Sequence, residues 1–122
     1  METGLPFAEE MRQRTKQAAL RTIRLHRALP PTDEARVLGR QQLHSATSMG
    51  ANYRAACRGR SRAEYFAKPC ICIEEADETL YWLELLMEAG IIAADKLMPL
   101  PLHEEFDRIT GVLAASRKTM RQ

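Results

Sequence analysis

The chain has 122 residues, 45% apolar and 28% charged, with a formal net charge of +2. That is enough for one domain with a modest core, and too apolar for a disordered chain. No apolar run approaches the roughly 18 residues of a membrane-crossing helix, and Glu2, Glu9 and Glu10 stand where a secretory signal would be basic and then apolar, so a cytoplasmic protein with no membrane partner is expected.

Four helical segments are predicted, with a core over about residues 6–118 and 1–122 as a single domain. The first spans about Pro6 to Leu29, with Pro6 in the first turn and Glu9 and Glu10 near the positive end of the helix dipole. Its apolar surface comes from Met11, Ala18, Leu20, Ile23, Leu25 and Leu29, and Pro30-Pro31 stops it. Thr32 caps the second segment, which carries Asp33 and Glu34 in its first turn and runs through Val37, Leu38, Leu43, Ala46, Met49 and Tyr53 to about Cys57. Gly39 and Gly50 each cost about 1 kcal/mol of helix propensity relative to alanine, which a close helix–helix approach would offset.

Ser61, with Glu64 three residues on, reads as a capping box for the third segment, which should end at Ala89 with Gly90 as the stop. Pro69 inside it predicts a kink or local break. Tyr65, Ile73, Leu80, Leu83 and Leu86 mark its apolar surface. The fourth begins weakly near Ala93, is interrupted by Pro99 and Pro101, and is firm only from Leu102 to about Lys118. Phe106, Ile109, Val112 and Leu113 give it a buried side. With no strand-like alternation of useful length, the fold class is all-α: an antiparallel up-down four-helix bundle.

The small net charge hides an asymmetry. Residues 1–72 hold 13 of the 18 basic and 6 of the 16 acidic residues, a balance of +7, whereas residues 73–122 have a balance of −5. Arg21, Arg24, Arg54, Arg58, Arg60, Arg62 and Lys68 are the candidate contacts to RNA or DNA, because guanidinium forks and ammonium groups pair with phosphate. Tyr81 and Trp82 are helix neighbours and face different ways, so one can fill the core while the other meets another chain; with Tyr65 and Leu85 they are the candidate interface residues.

Chemical motifs are scarce. Cys57, Cys70 and Cys72 are too few to staple a fold or complete a zinc site and read as buried free thiols. Glu74 with Glu78, and Glu84 with Glu88, are paired carboxylates at helical spacing, with Glu75 close to the first pair. None of His26, His44 and His103 has the glutamate three residues upstream that a di-metal bundle site uses. These acids are expected to pair with Arg or Lys across helices, within or between subunits. Ser45 and Ser48 near His44 lack a third catalytic group, and no glycine-rich phosphate or dinucleotide signature is present. The chain is therefore read as a non-enzyme without cofactor or metal.

SATSMGANYRAA (45–56), RGRSRAEYFAK (58–68) and EEADETLYWLELL (74–86) carry a likeness over about residues 14–118. The chain resembles the four-helix bundle family once called S23 ribosomal proteins, some of them encoded by intervening sequences in bacterial 23S ribosomal RNA genes. Ser48 and Asn52 fit the family's Ser and Asn positions, and Arg60, Ser61, Glu64 and Tyr65 its Arg-Ser-x-x-Glu-aromatic run. Ala55-Ala56 replaces a Glu-Gly pair, and Pro69 stands at a usually aliphatic position. The resemblance implies an antiparallel bundle without established enzymatic activity, a homo-oligomer of the pentameric kind, and a protein partner such as a reverse transcriptase. The expected function is an oligomeric helical scaffold or interaction protein; the alternative is a weakly sequence-specific RNA- or DNA-binding module.

Overall fold

Four helices, α1 (Gly4–Arg27), α2 (Asp33–Ala56), α3 (Arg62–Glu88) and α4 (Pro99–Arg121), make up the computed structural model. It describes residues 4–58, 62–93 and 99–121, with side chains over 7–58, 69–93 and 99–116. They form an antiparallel up-down bundle in which each helix packs on its neighbours in chain order and α4 closes back on α1. No strand occurs among the described residues.

The punctuation follows backbone chemistry. Thr32 sits in extended geometry and its side-chain oxygen accepts from Ala35 N–H at 3.2 Å, satisfying one of the donors left open at the start of α2. At the other end of α3, Gly90 has φ of 72°, Ile91 N–H donates to Leu86 C=O at 3.0 Å and Gly90 N–H to Met87 C=O at 3.1 Å. That paired pattern is a Schellman stop, and the left-handed residue it needs is most cheaply a glycine. The expected Ser61 cap lies outside the described residues.

Three expectations change. Pro69 is buried inside α3, and the helix continues across it without a break. Pro99 and Pro101 do not interrupt the last helix but begin it, since the first turn has no intrahelical acceptor for their missing N–H groups. Ala93 lies outside that helix. α1 starts at Gly4, so Glu9 and Glu10 fall beyond its first turn.

Met11, Leu25, Met49, Leu83, Phe106 and Ile109 are among the core side chains that lose essentially all contact with water. Leu20 and Val37, expected to help form the apolar faces, and Cys57, expected to be a buried thiol, are exposed instead. The core also takes in polar groups: Thr15, Thr22, Gln42, Ser45 and Thr79 are all buried. Thr15 and Thr22 satisfy their hydroxyls on the preceding helical turn, donating to Met11 C=O and Ala18 C=O at 2.9 Å. Gln42 has no such outlet; both polar atoms of its side chain are buried without a partner. Gly39 lets α2 approach α1, for a Cβ there would overlap the Leu29 side chain and crowd the His26 ring. Gly50 faces the Thr15 backbone with room for ordinary contact.

Candidate functional site

Two surfaces bring together residues with chemistry to offer. The first is a groove of about 490 Å³ between α1 and α2. Arg12 and Lys16 of α1, Arg54 of α2 and Arg58 in the turn just after α2 supply four cations. Glu9 and Gln13 stand beside them, and Ala19, Thr47, Gly50 and Ala51 make a lining of small side chains. Glu9 is engaged from its own helix: Gln13 Nε2 donates to it at 3.2 Å and Arg12 pairs with it. Those two contacts, with the charge of Arg12, hold its carboxyl below the usual carboxylate range.

The structure thus brings Arg54 and Arg58 together but separates Arg21 and Arg24 from them. Arg21 lies near Glu105 of α4, close enough to help lower that carboxyl's pKa. Arg24 is exposed and does not line the groove. Arg60 and the side chains of Arg62, Lys68 and Tyr65 lie outside the described residues. Arg12 and Lys16 belong to the groove yet were not among the expected contacts. Only the α1–α2 register, set by Gly39 beside His26 and Gly50 beside Thr15, brings them opposite Arg54 and Arg58.

The second surface is the outer side of α3. Glu74, Glu78, Tyr81, Leu85 and Glu88 recur at alternating steps of three and four residues and so form one stripe. Tyr81 is 54% exposed. Its ring meets Trp82 edge to face with centroids 5.1 Å apart. Trp82 is half-buried and its indole N–H is enclosed without an acceptor; Leu85 is half-buried one turn on. Tyr81 thus stands on the outside, while Trp82 is half-buried and lies outside the core cluster.

Within one chain, the acids of α3 find no Arg or Lys partner across helices among the described residues. Glu84 meets His103 of α4 at 2.8 Å. Glu74, Glu75, Glu78 and Glu88 have no ion pair among the described residues. Burial, then the neighbouring charges of Glu78 and Glu74, push the Glu75 carboxyl up, against the opposing pull of His44 and a hydrogen bond with Ser48. The carboxylate that does find an arginine across helices is Glu105, which accepts two hydrogen bonds from Arg14 of α1 at 3.0 Å each. Among the described residues no three His, Cys, Asp or Glu side chains converge as a metal-ligand set, and no helix is long and apolar enough to cross a membrane.

Comparison with known proteins agrees with this architecture. Residues 9–115 match the family model described as 23S rRNA-intervening sequence protein. A crystal structure of a protein of unknown function from the S23 ribosomal protein family of Bacteroides thetaiotaomicron superposes with a TM-score of 0.80 at 30% identity, covering 91% of this chain and 97% of that one. No curated protein matches the chain.

Proposed function

The chain belongs to the 23S rRNA-intervening sequence protein family, and from that premise we propose that it acts as a non-enzymatic helical scaffold that assembles with copies of itself. The supporting observation is the outer stripe of α3, where Tyr81 is 54% exposed beside half-buried Leu85 in an acidic border. An aromatic held outward on a rigid helix is the kind of side chain that protein interfaces cover. The experiment is light scattering coupled to size exclusion across a hundredfold range of concentration. A species several times the 13.9 kDa chain mass supports the reading, and a monomer throughout removes it.

A second reading, RNA or DNA binding, is favoured by the convergence of Arg12, Lys16, Arg54 and Arg58 on one groove. It expects retention of short RNA or single-stranded DNA that falls steeply with salt. No retention at low salt from a varied panel eliminates it.

A further inference from the structure

We propose that the α1–α2 groove receives the outer stripe of α3 from a second copy of this chain, Tyr81 entering the small-residue end and the acids of the stripe meeting the cationic end. The inference rests on the self-association reading and adds which two surfaces meet.

Charge is the first argument. Arg54 and Arg58 are exposed in the groove and have no carboxylate partner among the described residues. Glu74, Asp77 and Glu78 are exposed on α3 and likewise unpaired there. Among the described residues neither surface can neutralise the other within one chain, because α1 does not pack on α3 there and the α2–α3 contact lies on other sides of those helices. Two copies can satisfy both sets at once.

Order along the helices is the second argument. In the stripe, Glu74 and Glu78 come first, then Tyr81 and Leu85. In the groove, Arg54 and Arg58 lie at one end beside the Arg12–Glu9 pair, whereas Ala19, Thr47 and Ala51 supply small side chains, with Lys16 among them, one to three turns along. At about 1.5 Å of rise per residue, the step from Glu78 to Leu85 and that from Arg54 to Thr47 are each about 10 Å. When the acids reach the arginines, Tyr81 and Leu85 therefore lie over the small floor. A floor of small residues accepts a protruding ring, and a nucleic-acid backbone has no use for the apolar half of this match. Because two different surfaces meet, the contact is head-to-tail, and each added copy again offers one groove and one stripe.

The test uses the full chain and two double charge reversals, Glu74→Lys with Glu78→Lys and Arg54→Glu with Arg58→Glu, followed by light scattering and circular dichroism. Each variant alone should lose roughly 100-fold or more in self-association, since like charges then face each other. An equimolar mixture should associate again, because the groove of each variant finds an oppositely charged stripe on the other; alternating pairs, open chains and even-membered rings satisfy every contact, whereas a five-membered ring keeps one like-charged contact. Ala51→Trp, which fills the floor without changing charge, should weaken assembly as well and keeps the test valid if a reversal unfolds the chain. Wild-type-like assembly of a folded reversal variant, of Ala51→Trp, or failure of the mixture to recover, overturns the groove–stripe contact and leaves self-association standing. Unchanged assembly with lost RNA retention in the arginine variant overturns it too, giving the groove to nucleic acid. A wild-type protein that stays monomeric removes the underlying reading with it.

Discussion

The two seams at opposite corners of this bundle are held by different physics. Between α2 and α3 the contact is the most extensive in the molecule. Ser45, Ala46 and Ala76 are buried small residues, Thr79 Oγ1 lies 2.9 Å from Ser45 Oγ, and Cys72 Sγ reaches Met49 C=O at 3.5 Å. Between α1 and α4 the contact is the slightest, and a forked Arg14–Glu105 pair bridges it. Close packing works through volume and is nearly blind to pH and salt. A part-buried ion pair depends on both. One seam should therefore behave as a fixed joint and the other as a joint whose strength is set by the solution.

The strongest way to break that contrast is to hollow out the fixed side. Leu83 of α3 is fully buried within the main core cluster. Leu83→Ala should cost about 2–5 kcal/mol in urea or thermal unfolding, through lost burial and the cavity left behind. Removing the ionic bridge with Arg14→Met should cost about 1 kcal/mol or less. Equal losses would mean that the α1–α4 pair matters far more than its exposure suggests.

How much of this could be read from the residues divides along the same line. Helix existence, the Thr32 cap and the Gly90 stop depend on a few neighbouring residues, and Gly39 correctly signalled a close approach. Pro99 and Pro101 carried the right chemistry and the wrong inference, since a proline breaks a helix interior and starts a first turn equally well. Arg14–Glu105 joins residues 91 apart in sequence, and the Arg12, Lys16, Arg54 and Arg58 groove depends on helix register. No local pattern encodes either. The scattered cations Arg21 and Arg24 look no different in sequence from the convergent ones.

A second change sharpens the contrast from within α2. Gln42 is fully buried and both polar atoms of its amide lack partners. An unsatisfied buried amide costs about 1–3 kcal/mol. Gln42→Leu, similar in size and without the polar atoms, should raise stability by about 1–2 kcal/mol in the same unfolding assay. A loss of stability would show that the amide is solvated or bonded in solution.

The α1–α4 seam has a pH signature. Hydrogen bonds from Arg14, then its charge with those of Arg21 and Arg108, hold Glu105 below the usual carboxylate range, outweighing its partial burial. A carboxyl depressed in the folded state stabilises the fold above its unfolded pKa, near 4.3, and that contribution is lost as pH falls through the folded value. Glu105→Gln should therefore lower stability by about 1 kcal/mol or less at pH 7 and leave it nearly unchanged once pH has fallen well below the folded-state pKa. A Glu105→Gln difference independent of pH would assign the effect to packing.

The α2–α3 side carries the opposite sign, which makes the smallest prediction the most discriminating. Glu75 lies beside Ser48 and His44 of α2, and burial with the nearby charge of Glu78 raises its carboxyl pKa. Ionising such a group costs more in the folded chain than in the unfolded one. The penalty is absent below the unfolded pKa, sets in as pH rises through it, and is complete above the folded value. Glu75→Gln should therefore gain about 0.5 kcal/mol or less at pH 7 and nothing at low pH. Its stability difference from wild type then runs against that of Glu105→Gln across the same titration. Parallel curves would mean that both carboxyls respond to net charge alone; opposed curves trace each sign to its own seam, one where an arginine awaits the carboxylate and one where other carboxylates crowd it.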